Sequence, residues 1–420
     1  MAMILLAVAV VVLLLLRVPV AFAILGPSVV YLVTTGSSLE LGLRTAINGV
    51  DSWPLLAVPL FVLLGVIANH AGIADRLFDF ALALLGRVRG GLAYVNIGSS
   101  VGFSWMSGSA LADAAGLGSV QVPAMQREGY PARFAVGLTG ASSLISPVMP
   151  PSIPAVVFAS VAGVSTGALF AASVLPAFLI ALGLVIYVWF WARRQTFLKT
   201  QAFRWQVVLA TGKRAVAGLL TPVLVIGGIL GGFFTPTEAA AAGCVYMLVL
   251  GFGYRTLRVR DLAPVLRNAA VTSAAIMVII GATSLLGWIL AKEQVPSAIA
   301  QWMTGLTDSP TVFLFLAVGL LIVLGAIMEP TSALVLSVPI LLPVAKTFGI
   351  DPIHFGVIVV LTLMIGLLTP PVGPVAFVLS SVTKIPVREV FRGLLPFMVP
   401  LVSVVILLVF FPGLIWTPEL

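Results

Sequence analysis

The sequence predicts an all-α polytopic membrane protein, built as an inverted repeat with two re-entrant helical hairpins and two discontinuous helices. Three observations carry that expectation. The 420 residues are 60% apolar and only 9% charged, more apolar surface than a soluble domain can hide. Two apolar stretches, residues 142–154 and 366–374, are interrupted by prolines at 147, 150, 151 and 154 and at 370, 371 and 374. Proline lacks the backbone N–H and clashes with the preceding turn, so neither helix passes through unbroken. Finally, the halves align at a shift of 220 residues, which lays Pro123, Pro150, Pro151, Pro154, Ser160, Leu175 and Pro176 on Pro343, Pro370, Pro371, Pro374, Ser380, Leu395 and Pro396.

Taken in order, apolar runs at 3–16, 18–35 and 54–71 read as spans. The start lacks a basic region before the apolar run, and Arg17 follows it, so the first helix is expected to be retained despite the loosely peptidase-like Ala21-Phe22-Ala23. Residues 75–89 are charged and amphipathic and read as interfacial. Residues 91–125 break at 104–109; each arm reads as too short to span, hence a hairpin with its tip at mid-membrane. The broken helix 132–165, a span at 167–192 and a basic connector at 193–214 close the first half. The second half repeats the scheme with spans at 216–234 and 236–253, a basic piece at 255–267, a span at 271–291 and an amphipathic piece at 296–306. A hairpin at 311–346 broken at 325–332, a broken helix at 352–382 and a last span at 394–412 finish it.

With the N-terminus outside and hairpins returning to their own side, nineteen Lys and Arg residues fall inside, Arg17 and Lys199 among them. Only Arg44, Lys292 and Lys346 fall outside. That is a strong positive-inside bias, it puts both termini outside, and it accounts for the net charge of +8 without nucleic acid. One cysteine, Cys244, excludes a disulfide framework. His70 and His354 lie far apart and read as helix-end residues. Trp53, Trp189, Trp191, Trp205, Trp302 and Trp416 fall near span ends and read as interfacial anchors.

Paired broken helices are the sequence pointer to a transporter site: one fragment's carbonyl end suits Na⁺, the next fragment's N–H end suits an anion. Ser152 before Pro154 has the composition of an N-cap. Ser104, Ser107, Ser109, Ser143 and Ser146 add oxygens suited to a hard cation, joined in the second half by Thr331, Ser332, Thr362 and Thr369. Gly108 and Gly325 allow backbone to approach an ion. Asp113 and Glu329 each lie at or just past a hairpin tip, where an unpaired charge is costly. Each has two readings: balancing bound Na⁺, or acting as a capping or interhelical hydrogen-bonding acid. Thr235-Pro236-Thr237-Glu238 reads as a helix start, with Thr237 capping and Glu238 at the positive end.

The chain resembles the large membrane subunit of TRAP (tripartite ATP-independent periplasmic) transporters. The resemblance rests on residues 107–114, 146–154, 234–240, 325–333, 349–356 and 365–373 in that order and spacing, and covers nearly the whole chain. It implies an elevator-type, sodium-coupled secondary transporter in the bacterial inner membrane, taking up an organic acid such as a dicarboxylate, sialic acid or sugar acid. It also implies two partners, a small membrane subunit and a periplasmic substrate-binding protein, and no organic cofactor. Two or more Na⁺ ions would be held by Ser104, Ser107, Gly108, Asp113, Ser146, Gly325, Met328, Glu329, Gly366 and Thr369. Ser109, Ser143, Pro150, Ser152, Thr331, Thr362, Pro370 and Gly373 would face substrate. Glu329 stands where Asp is usual in that family, and Thr362 where Asn is common. The expected division is scaffold at 1–90, transport unit at 91–166, scaffold helix and connector at 167–214, scaffold at 215–306, transport unit at 307–386 and a last scaffold helix at 387–420. The alternative is a stand-alone Na⁺/anion symporter of the wider inverted-repeat elevator group. An intramembrane hydrolase lacks its motifs here, and a passive channel is separated by saturable, sodium-dependent uptake.

Overall fold

The computed structural model describes residues 2–16, 18–195 and 204–416, which form helices and connecting turns and, among the described residues, no strand. The inner charges assigned to Arg17 and Lys199, and the side chain of Trp53, lie outside what is described. The first half runs α1 (Ala2–Leu15), α2 (Val20–Thr34), α3 (Leu39–Val50), α4 (Ala57–His70), α5 (Ile73–Leu85), α6 (Gly91–Ser107), α7 (Ala110–Arg127), α8 (Ala132–Ser143), α9 (Ile145–Val148), α10 (Ile153–Ala162) and α11 (Thr166–Arg193). The second half begins with α12 (Trp205–Pro222), carried through a wide π-turn into α13 (Gly228–Leu230). There follow α14 (Pro236–Gly253), α15 (Val259–Lys292), α16 (Val295–Leu306), α17 (Pro310–Ile327), α18 (Pro330–Thr347), α19 (Pro352–Gly366), α20 (Pro374–Thr383) and α21 (Val387–Phe410). Seven described helices are long and apolar enough to cross a membrane, and two further pairs, α4 with α5 and α8–α9 with α10, are bent by 64° and 42°.

The 220-residue repeat is structural as well as compositional. It carries Ala110–Arg127 onto Pro330–Thr347, and the starts of α8, α10 and α11 to within one residue of those of α19, α20 and α21. Where the halves differ, local sequence explains it. In the first half residues 51–56 separate the amphipathic α3 from α4. Their counterparts fuse into the 34-residue α15, so the basic piece at 255–267 is not separate from the following span, as the sequence suggested. Likewise the basic residues 205–214 are helical and belong to α12. The hairpin arms, at 17 or 18 residues, are about 26 Å long at 1.5 Å per residue, so they are longer than their apolar runs implied.

Packing sorts the helices into two groups. α2, α3, α4, α14 and α15 lie against one another, with α1 on α2 and α12 on α14. The hairpin α6–α7 lies against α8 and α9, and each hairpin's second arm crosses to the other half: α7 packs on α20 and α18 on α10. α11 and α21 pack on each other and on α8 and α19, so they sit with the hairpins and broken helices. The α8–α21 seam is backbone to backbone, since a Cβ on Gly137 would fall 2.1 Å from the Gly393 carbonyl oxygen. An ion pair between Arg133 and Glu389 closes its end. Trp191 joins this seam, its ring stacked 3.6 Å from that of Phe134, so it is a packing residue there. Trp205, Trp302 and Trp416 are exposed, as anchors should be. His70 ends α4, while His354 opens α19 and contacts the Leu408 carbonyl at 3.0 Å.

Candidate functional site

Both hairpin tips end on the helix breaks. Ser109 caps α7 by accepting from the Ala112 amide, and Gly108 in the left-handed region turns the chain between the arms. There a Cβ would meet the Pro151 carbonyl oxygen at 2.6 Å, so only glycine lets this tip seat on the first break. On its other side the tip rests on α4, where a Cβ on Gly65 would lie 2.8 Å from the Ser107 carbonyl oxygen. The second tip seats the same way. A Cβ on Gly366 would lie 2.5 Å from Gly325 Cα, and one on Gly325 would lie 2.8 Å from the Leu363 carbonyl oxygen. The Val372 amide donates to the Ala326 carbonyl at 3.3 Å, tying the second break to its tip. The Pro150–Pro151 and Pro370–Pro371 peptides are both cis.

The two breaks leave helix ends inside the fold. Ser152 caps α10 as expected, its hydroxyl accepting from the Ala155 amide at 3.1 Å and donating to the Pro147 carbonyl. Pro154 stands in the first turn, where its missing N–H costs nothing. At the second break Gly373, in the left-handed region, takes the capping position of α20, and Thr369 donates to the Gly366 carbonyl at 2.7 Å.

The acids resolve differently. Asp113 is 1% exposed and accepts from Ser146 at 2.7 Å and from Ser100 at 3.5 Å. It thus joins both hairpin arms to the first broken helix. From it a buried polar chain continues. The one Ser100 proton goes either to Asp113 or to Ser142, 3.1 Å away; Ser142 donates to the Asn96 side-chain oxygen at 2.8 Å, and the Asn96 amide to Thr139 at 2.7 Å. A buried carboxylate with only hydroxyl partners lacks charge compensation. Glu329 is exposed at its tip and caps its own helix, accepting from the Ser332 amide at 3.0 Å and from Thr331 at 2.8 Å. Its hydrogen bonds are those of a capping acid.

Of the other expected residues, Ser104 and Ser143 bond back to the Val101 and Gly140 carbonyls of their own helices, and Ser107 donates to the Ser109 carbonyl at 3.3 Å. Thr362 is fully buried without a hydrogen-bond partner among the described residues, and Met328 is buried at the end of α17. The first tip and break are buried apart from the half-buried Trp105, Ser109 and Ile153, whereas Glu329 and Pro370 to Val372 are exposed. Asn96, Ser100 and Thr139 went unnoticed in the sequence, and Ser142 was noted only as part of the proline-interrupted stretch. Their signal was the i, i+4 spacing of Asn96 with Ser100, and the lining-up of Thr139, Ser142 and Ser146 on one helix face. At the start of α14, Thr235 is the cap, reciprocated by Glu238, so the assignment of that role to Thr237 is corrected. Pro236 takes the first helical position, which shifts the cap one residue before it.

Comparisons with known proteins agree with this architecture. Residues 7–414 match the family model described as the tripartite ATP-independent periplasmic transporter, DctM component. The chain is 41% identical over 396 residues to the sialic acid TRAP transporter large permease protein SiaM of Vibrio cholerae, covering 94% of this chain and 93% of that protein. It is 38% identical over 364 residues to the C4-dicarboxylate TRAP transporter large permease protein DctM of Pseudomonas aeruginosa, covering 86% and 85%. The 2,3-diketo-L-gulonate large permease protein YiaN of Escherichia coli is 35% identical over 376 residues. Among solved structures, the YdaH transporter of Alcanivorax borkumensis shares the fold, with a TM-score of 0.61 over 90% of each chain at 17% identity. The chain is therefore a multi-pass membrane permease and not an enzyme, and it belongs to the DctM-component family of tripartite ATP-independent periplasmic transporters.

Proposed function

We propose that this permease takes up a small organic acid anion, a sialic acid, sugar acid or C4-dicarboxylate, across the bacterial inner membrane, driven by sodium. The carrying observation is the buried Asp113 between hairpin tip and helix break, a carboxylate with oxygen neighbours and no cationic partner among its hydrogen bonds. Such a group suits a hard cation, and Na⁺ bound beside it would offset the cost of its charge. The site carries no Lys or Arg in either tip or break. Substrate carboxylate would instead meet helix N-termini, hydroxyls and the nearby ions. Ser107, Gly108 and Ser146 would hold ion in the first half, and Gly325, Gly366 and Thr369 in the second, with Ser152 and Thr362 toward substrate.

The moving unit in an elevator cycle would be α6–α11 with α17–α21, since α11 and α21 pack on the broken helices. In this reading the helices at 167–192 and 394–412, expected as scaffold, would travel with the transport unit. A small membrane subunit and a periplasmic binding protein that delivers substrate complete the assembly in this reading. Its test is uptake into proteoliposomes holding both membrane subunits, with labelled acids presented on the matching binding protein. Concentrative uptake under a sodium gradient, absent with potassium, supports the reading; uptake driven by a proton gradient and indifferent to sodium refutes it.

A further inference from the structure

The polar chain behind Asp113 has a direction, and its donors set it. The Thr139 hydroxyl donates to the Ala135 carbonyl at 2.8 Å, so toward Asn96 it can only accept. Asn96 gives it one amide proton at 2.7 Å, and the same amide nitrogen lies 3.9 Å from Met125 Sδ. The side-chain oxygen of Asn96 is thereby turned to Ser142, which donates to it at 2.8 Å in preference to the Thr139 carbonyl at 3.2 Å. With its proton committed, Ser142 meets Ser100 as an acceptor, 3.1 Å away. A Ser100 proton drawn to Ser142 leaves the Ser100 lone pairs free beside Asp113. There, Ser146 donates to Oδ2 at 2.7 Å, and Oδ1 has only the Ser100 hydroxyl, at 3.5 Å, among the described residues. Oxygen ligands lie about 2.3–2.6 Å from Ca²⁺, which Na⁺ matches in size, so two at right angles are roughly 3.3–3.7 Å apart. The Ser100–Asp113 spacing falls in that range. The fold does not need this chain. The 220-residue shift lays Asn96, Ser100, Asp113 and Thr139 on Leu316, Leu320, Ala333 and Val359. Yet α17 packs on α18 and α19 as α6 packs on α7 and α8. Apolar side chains build the same hairpin without burying polar groups, so packing alone does not account for Asn96 and Ser100.

We propose that Ser100 is a further ligand of the cation at Asp113, and that Asn96, acting through Ser142, is the positioning residue that turns the Ser100 lone pairs toward it. The proposal rests on the sodium reading above. It confines this cation site to the first half, since the second half has neither the carboxylate nor the chain. When the ion leaves, the Ser100 proton swings to Asp113 and covers part of the charge, which eases release.

The test follows thermal unfolding of the permease, purified with its partner subunit in potassium buffer, as sodium is added. Ser100→Ala should raise the sodium concentration for half-maximal stabilisation several-fold. Asn96→Leu, which installs the second-half residue, should also raise it, and should add nothing in the Ser100→Ala background. Ser142→Ala should repeat the Asn96→Leu result and decides the matter if Asn96→Leu does not fold. A structural role for Asn96 would instead lower the melting temperature in potassium and leave the sodium midpoint unchanged, which overturns the positioning assignment. Additive shifts in the double variant overturn it as well. An unchanged midpoint in Ser100→Ala, with sodium stabilisation lost in Asp113→Asn, overturns the Ser100 assignment and leaves the sodium reading standing. An unchanged midpoint in both Ser100→Ala and Asp113→Asn overturns the sodium site at this carboxylate, and the proposal with it.

Discussion

Replacing Asp113 with Asn removes one charge from the buried junction and almost no volume. Ser146 still has an oxygen to donate to at its 2.7 Å position, and the 3.5 Å contact from Ser100 is at the edge of hydrogen-bond range. A bond to a charged acceptor contributes about 1.5–3 kcal/mol and a neutral one about 0.5–1.5, so the Ser146 pairing loses roughly 1–2 kcal/mol. Against that, the empty protein no longer buries an uncompensated charge, a relief of similar or larger size. Thermal stability without sodium should therefore hold or rise. With sodium bound the balance reverses. A unit charge about 4 Å from the ion contributes about 4 kcal/mol even at an effective dielectric of 20. Losing half of it raises the sodium concentration for half-maximal uptake on the order of 30-fold. Uptake rate against sodium concentration, with sodium-dependent thermal stabilisation as a binding readout, measures both. Unchanged sodium dependence of uptake and of stability in Asp113→Asn would refute the assignment of the ion to this carboxylate.

Glu329→Asp should keep the α18 cap and retain uptake, while Glu329→Ala should lower stability by about 0.5–2 kcal/mol, read by thermal unfolding in detergent. A collapse of sodium dependence in Glu329→Asp would contradict the capping role. Gly366→Ala forces a methyl group to 2.5 Å from Gly325 Cα, so the second tip must move off its break. A loss of about 1–3 kcal/mol and strongly impaired uptake are expected, and wild-type behaviour would show that the tip is not seated there. Ser152→Ala removes the α10 cap inside the first break and should cost about 1 kcal/mol, with Ser152→Thr recovering most of it.

The proline breaks and hairpins were legible because proline and glycine act locally: the backbone has few ways to satisfy their geometry inside an apolar helix. The cap at Ser152 followed from its neighbours alone. α3 was missed for the opposite reason, since Glu40, Arg44 and Asn48 line its polar face and so break up the apolar run along the sequence, leaving none long enough to notice. The junction of α3-like and α4-like segments into α15 was likewise hidden by Arg258, Arg260 and Arg267. At the site, sequence named both acids and favoured Glu329 over Asp113 for the ion. Burial separates Asp113 from Glu329, and burial depends on which helices cross, which no local pattern states. The Asn96–Thr139–Ser142 chain joins two helices, α6 and α8, and becomes visible only when they meet.

The central claim, a transport unit moving against a scaffold under sodium and substrate, is tested most directly by distance measurement between spin labels. One pair joins exposed sites on α7 and α14, Ser119 and Val249, and a control pair joins Ser119 to Ser403 on α21. The account predicts that sodium with the transported acid shifts population between two distances for the first pair and leaves the control distance fixed. A single unvarying distance for Ser119–Val249, or a change within Ser119–Ser403, would contradict it.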